Sequence, residues 1–219
     1  MRRAIVLLSF PSLLGLGACA GGAGPGEPAA PPSGAGLLSF DAEAPAGAKT
    51  WERPAWRVGQ TFAVRIGERA KSEFRVAAID GDAYVLDTGS GPQLRRDRDL
   101  GNLGEWARDG SPLRSLAPAD MRYHWPLWVG KRWTCEFADR ARGGAAVLMR
   151  ASYVVEDVDT ITVPAGTLET LRIVRTVRLV GADNVLSKTQ VWWYAPSLGY
   201  EARQFAGDTV IELAERAAP

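Results

Sequence analysis

Val163-Pro164-Ala165-Gly166-Thr167 opens the stretch whose reading decides the fold, and Trp192-Trp193-Tyr194-Ala195-Pro196-Ser197-Leu198-Gly199-Tyr200 closes it. Between these ends, Leu171, Ile173, Val177 and Leu179 fall on one face of an extended segment. Arg172, Thr176 and Arg178 fall on the other. That period of two belongs to a strand and not to a helix. Pro164 cannot donate to a ladder, so the chain turns or leaves the sheet there. Pro196 and Gly199 mark a second corner.

Working outward, the same alternation recurs. Val147, Met149, Ala151, Tyr153 and Val155 share a face opposite Arg150, Ser152 and Glu156. Asp80-Gly81 between two apolar runs predicts a hairpin joining 73–79 to 83–87. Strands are also expected at 61–65, 93–100, 133–137, 188–194, 200–205 and 209–214. The segment 101–118, with Gly, Pro and Asn spread through it, reads as a loop. Val58-Gly59 with Phe62 is echoed by Val129-Gly130 with Trp133, each aromatic three residues after the glycine. This is a weak internal repeat. The expectation is an all-β body, an antiparallel curved sheet or half-barrel, or two related β-modules at 51–118 and 119–216.

The formal net charge is +1, which gives no basic surplus for nucleic acid. Two cysteines and one histidine leave no metal-ligand set, and no cofactor signature is present. Eight tryptophans are many for 219 residues, and they suit a core or a wet-edged binding surface.

The N-terminus reads as a processing signal over 1–18. Arg2 and Arg3 precede an apolar run from Ala4 to Leu16, too short to span a bilayer. The run ends in Leu16-Gly17-Ala18-Cys19, which resembles the lipobox of bacterial lipoproteins. That resemblance implies cleavage before Cys19 and acylation of Cys19. Ala20, where some envelope lipoproteins carry Asp, implies by that resemblance transfer to the outer membrane; Ala20 does not fix the face, and the periplasmic one is expected over the surface. Several acyl chains hold stably where one does not. Residues 19–50 are rich in Ala, Gly and Pro and read as a disordered linker, spanning roughly 30 Å as a coil. Leu37, Leu38 and Phe40 are the exception and could dock on the body as a short strand. Losing Arg2 and Arg3 leaves the mature chain near −1 by formal charge, roughly neutral toward anionic lipid.

From about Tyr123 to Glu212 the chain is similar to bacterial envelope β-domains of the VPAGT…WYAP…G type, many of them lipoproteins. It departs from their pattern at Leu168, where they carry an aromatic residue. The shared motifs are turn and packing residues, so the resemblance implies a curved antiparallel sheet and is silent on function.

The candidate ligand-binding group is Tyr123, Trp125, Trp128, Trp133, Trp192, Trp193, Tyr194 and Tyr200. These rings either line a concave face for an apolar ligand or fill a core. No catalytic residue is assigned. His124 is a rim or packed residue, and Cys135 is expected to be buried on a strand. The charged run Arg95 to Asp99 reads as a solvated, mutually paired segment. The function expected is that of a non-catalytic, membrane-anchored envelope lipoprotein binding an apolar ligand or an envelope protein. The alternatives are a scaffold lipoprotein and, further behind, a hydrolase using Cys135 or a carboxylate.

Overall fold

The computed structural model describes residues 35–68, 71–89, 91–181 and 187–215. The signal segment, the lipobox and Cys19 lie outside the described residues. The body is all-β and antiparallel, as the alternation predicts. Its strands are β1 (Gly36–Phe40), β2 (Thr61–Ile66), β3 (Ser72–Asp80), β4 (Ala83–Asp87), β5 (Gln93–Asp97), β6 (Asn102–Trp106) and β7 (Pro112–Asp120). They continue as β8 (Arg132–Ala141), β9 (Val147–Val163), β10 (Gly166–Leu179), β11 (Lys188–Ala195), β12 (Tyr200–Ala206) and β13 (Thr209–Glu215). From β2 to β13 every strand pairs with the next, and β13 pairs with β2. The result is a closed up-and-down barrel of twelve strands. Closure removes the exposed edges that a half-barrel would carry.

β1 lies outside that ring. β7 pairs with β8 only from Arg114–Ala141 to Ala117–Ala138 and then turns away. β1 takes up the edge of β8 that β7 leaves, pairing Gly36 with Glu136 and Phe40 with Trp133. Leu37, Leu38 and Phe40 therefore do form a strand on the body.

The segment 101–118 is not a loop. It supplies β6 and β7, whose pairing is broken by register shifts on both sides of Gly104 and Glu105. Bulges hide the period-two pattern by putting two adjacent residues on one face. Gly104 sits at φ +117°, and a Cβ there would lie 2.2 Å from the carbonyl oxygen of Arg114. The glycine marks the close approach of two strands and not a turn.

The echo between Gly59 and Gly130 is a shared backbone clasp. The Gly59 N–H donates to the Val76 carbonyl, and the Val76 N–H donates back to Gln60. Likewise Gly130 donates to Val155, and Val155 donates back to Lys131. Both glycines hold nearly the same positive φ, 92° and 93°. A register shift follows Val76 on β3, and an equivalent one precedes Val155's partner Ile173 where β9 meets β10. A second equivalent pair separates Arg95 from Arg96 and Trp193 from Tyr194. β2–β7 and β8–β13 thus follow one template twice and close into one barrel.

Inward positions carry the core, including Phe62, Val76, Leu86, Trp133, Phe137, Val155, Leu171 and Ile173. Outward positions carry cross-strand ion pairs: Arg65 and Arg203 with Glu212, Arg150 with Glu136, and Arg172 with Asp159. This is the reverse of a membrane-spanning barrel, whose outward face is an apolar band. Among the described residues, no helix is long and apolar enough to cross a membrane.

Gly104→Ala is expected to cost more than ~2 kcal/mol, a fall in Tm above roughly 5 °C, because a positive φ and a backbone collision add. Gly143→Ala is the control: its φ is also positive, 71°, but its Cβ would meet nothing within 4 Å. It should cost only ~1 kcal/mol. Equal effects in thermal denaturation would refute the close-approach account.

Candidate functional site

A barrel of eight strands is about filled by its own side chains, and a wider one is not. Here the extra space is taken by the chain itself. Two segments enter from the rim formed by the turns at 81–82, 98–101, 164–165 and 196–199. One is Trp51–Trp56. The other follows β7 and runs from Asp120 to Lys131. Trp51 and Leu127 exchange backbone hydrogen bonds and join the two segments. Trp56 packs among Phe62, Tyr84 and Tyr200, and its Nε1–H donates to the Gly199 carbonyl at 2.9 Å.

The structure brings most of the expected aromatic group together. Tyr123, Trp128, Trp133, Trp192, Tyr194 and Tyr200 are all buried. Trp133 stacks on Tyr153 at 5.0 Å. Tyr123 stacks on Trp125 at 5.3 Å and meets Trp192 and Tyr194 at an angle. Trp125 is half-buried and donates to the Asp99 carbonyl. Trp193 is separated from the rest, because adjacent strand residues face opposite ways. It lies on the outer wall, donates to Asp159 and meets the exposed ring of Phe205 edge-on. Trp128 borders a shallow surface depression of about 340 Å³ with Asp41, Glu43, Pro45 and Val129. The other buried rings make ring–ring contacts with one another.

Sequence reasoning missed the charged interior. Where the Asp120–Lys131 segment crosses the barrel, it carries ionisable groups inward. In one cluster, Arg96 donates to both oxygens of Glu201, at 2.9 and 3.5 Å, and the Tyr123 hydroxyl donates to Oε1 at 2.9 Å. Arg122 reaches the same carboxylate only at 3.5 Å and lies over the Trp192 ring at 4.4 Å. In the second cluster, Asp120 accepts from the Tyr153 hydroxyl and from Arg175 at 2.7 Å. Arg175 also donates to Gln190. Burial alone would raise the Glu201 carboxyl, but Arg96 and Arg122 outweigh it and hold it at about 2. Burial, then the Glu201 charge, pushes the Tyr123 phenol well above its ordinary value.

The inner wall is graded. At the rim closed by the two entering segments it is aromatic and buried, around the Arg96–Glu201 pair. Toward the opposite rim, with turns at 107–111, 142–146 and 207–208, it carries Glu105, Arg114, Asp139, Gln190 and Gln204. These inward positions are only partly buried. Arg114 donates to both carboxylate oxygens of Asp139. Alternation identifies such positions as inward, but nothing in a linear pattern says that an inward arginine has a partner on a strand far along the chain.

Cys135 is buried, and burial followed by the Asp120 charge pushes its thiol up to about 12. His124 belongs to another environment. Its ring meets Phe40 at 4.6 Å with the planes tilted, and burial and Lys131 lower its pKa. Lys131 is itself drawn down to about 8 by burial; its Nζ donates to the Pro126 carbonyl and lies 4.1 Å from the Trp128 ring. Asp97 accepts from the Gly101 N–H, and Asp99 pairs with Arg53. Among the described residues there is no group of three or more His, Cys, Asp or Glu placed to hold a metal.

No protein-family model and no curated protein matches this chain. Among solved structures, it is similar to the hypothetical lipoprotein YmcC of Escherichia coli K12. The identity is 11%, with 73% of this chain and 85% of that one covered and a TM-score of 0.49. It is also similar to a protein proposed to be a lipoprotein from Parabacteroides distasonis ATCC 8503. There the identity is 11%, the coverage 77% and 99%, and the TM-score 0.41. Likeness at this level carries no argument about the role of this chain.

Glu201→Gln is expected to cost ~3–5 kcal/mol at pH 7, because Arg96 and Arg122 lose their buried counter-charge. The folded carboxyl is depressed, so its contribution is full above about pH 4.5 and is lost as pH falls toward about 2. Urea midpoints of the two proteins should therefore converge between pH 4.5 and 2.5. A gap that stays constant over that range would refute the pairing. The Cys135 thiol should resist a thiol reagent at pH 8 in the native state and react once the chain is unfolded in denaturant. Rapid native labelling would contradict its burial.

Proposed function

We propose that the chain is a lipid-anchored lipoprotein of the bacterial cell envelope, held at the periplasmic face of the outer membrane, whose barrel is a binding module and not a catalyst. The observation that carries this reading is Leu16-Gly17-Ala18-Cys19 at the end of a short apolar run behind Arg2 and Arg3. Cys19 provides the anchor, and the stretch up to β1 provides reach. The polar outer wall, with its ion pairs, supports a body that stands off the bilayer.

The absence of a catalytic role is argued from the state of the reactive groups. A nucleophilic cysteine needs a stabilised thiolate, and the Cys135 thiol is held protonated. Its neighbours are Asp120, Tyr153 and Arg175, whereas His124 sits with Phe40, Lys131 and Asp99. Binding is better served by the partly accessible, polar end of the interior than by the aromatic cluster, whose rings already occupy one another's faces.

Cys19→Ser is expected to abolish metabolic acyl labelling and to leave an uncut precursor of higher mass. A Cys19→Ser protein that is labelled and processed as before would overturn the anchor.

A further inference from the structure

Several arginines of the outer wall are held by carboxylates. Arg65 and Arg203 share Glu212, Arg172 sits among Glu156, Asp157 and Asp159, and Arg95 meets Asp80. One corner of the wall departs from this pattern. On β10, Arg178 stands directly opposite Arg150 of β9, and Arg150 stands opposite Glu136 of β8. Arg150 takes that carboxylate, donating from Nε at 2.7 Å. Among the described residues, neither Arg178 nor Arg140, further along β8, has an ion-pair partner. Arg142, in the next turn, donates to Ser111 at 3.2 Å and lies near Asp109, so it is already engaged. The surplus positive charge of this corner rests on Arg140 and Arg178. Like charges directly opposite on neighbouring strands are destabilising, and an anion outside the wall would offset the Arg178–Arg150 pair.

Position in the fold selects that anion. Gly36, the first residue of β1, pairs with Glu136, so the row Arg178, Arg150, Glu136 ends where the chain from Cys19 joins the barrel. Followed backward from Phe40 to Gly36, β1 runs from Trp133 toward Glu136, that is, toward the rim with the 142–146 turn. The chain before Gly36 thus leaves on the side where Arg140 lies. Cys19 is 17 positions before Gly36, and a coil of that length spans roughly 20–25 Å. Acyl chains on Cys19 would keep this corner near the bilayer. Leu37 and Leu38, 36% and 44% exposed, flank the same point, on a strand paired only with β8.

We infer that this corner, Arg140 and Arg178 with Leu37 and Leu38, docks on a bilayer surface carrying anionic phospholipid. The arginines meet headgroup phosphates, and the leucines lie among the headgroups beside them. Contact is at headgroup level, so the ion-paired wall stays clear of the hydrocarbon. The near-zero net charge of the chain conceals the surface because the surplus is local. The inference rests on the lipid-anchored reading above.

The test uses the acylated full chain in vesicles of phosphatidylethanolamine and phosphatidylglycerol, with a spin label on a fraction of the headgroups. A fluorophore is attached to Val147→Cys, 42% exposed beside the 142–146 turn, or to Val58→Cys, 58% exposed before β2 at the opposite rim. Cys135 is buried, and an acylated Cys19 offers no thiol, so only the introduced cysteine takes the label. Quenching at position 147 should exceed that at position 58 and should fall as salt is added. Each arginine near an anionic surface changes the ratio of docked to free body about fivefold, so Arg140→Gln with Arg178→Gln should lower it about 25-fold. Quenching at 147 should then drop to its level in phosphatidylcholine vesicles. The double variant should fold and melt like the parent chain, since neither arginine holds a partner. Equal quenching at the two positions, or quenching at 147 that neither salt nor the double variant reduces, in a chain that floats with the vesicles, would overturn the surface and leave the anchor standing. A chain that does not float overturns the anchor, and with it the argument that selects this face.

Discussion

The ring of twelve strands encloses more space than its own wall can fill, and the rest of the structure answers that constraint. The segment after β7 turns inward instead of hairpinning directly into β8. It lays Asp120, Met121, Arg122 and Tyr123 across the interior, where they contact β8, β9, β10, β11 and β12. Trp51–Trp56 enters beside it and seals one rim. The barrel is thus packed by loop as much as by wall, and its interior order depends on that loop keeping its register.

Carrying backbone and charge into the interior has electrostatic consequences. A buried ion pair contributes little net stability, but losing one partner is costly because the other stays desolvated. Glu201 and Asp120 each gather an arginine and a tyrosine hydroxyl, so these two carboxylates tie loop, β5, β9, β10 and β12 into fixed relative positions. The aromatic rings lie between the clusters: Trp192 meets Tyr123 of one and Tyr153 of the other. Aromatic rings and the buried Arg96–Glu201 pair fill the closed end, and the inward positions of the opposite end are only partly buried.

Much of the fold is legible along the chain. Alternation marks β9 as far as Val155 and much of β10. Asp80-Gly81 marks the β3–β4 hairpin. The Gly59 and Gly130 echo corresponds to the same backbone clasp used twice. Legibility fails where bulges interrupt the period of two. β6 and β7 are read as loop because Gly104 and the register shifts around it break the alternation, although the backbone ladder continues. The site is less legible still. Trp192 and Trp193 look equivalent in sequence, yet one is buried in the interior and the other faces outward across Asp159.

By itself, the sequence settles what is local: a β body from the period of two, the turns from Pro and Gly, and a Cys19 motif whose meaning lies in adjacent residues. Closure of the sheet, by contrast, is a pairing of β13 with β2 and of β7 with β8, set by long-range register. The partnership of Arg96 with Glu201, 105 residues apart, exists only once the ring is formed. Whether an aromatic residue is core or surface, and whether a buried donor finds its acceptor, depends on what the other strands and the inward-turned loop bring to the same place. The tertiary structure decides those questions because burial and hydrogen-bond satisfaction are properties of the packed interior and not of the chain order.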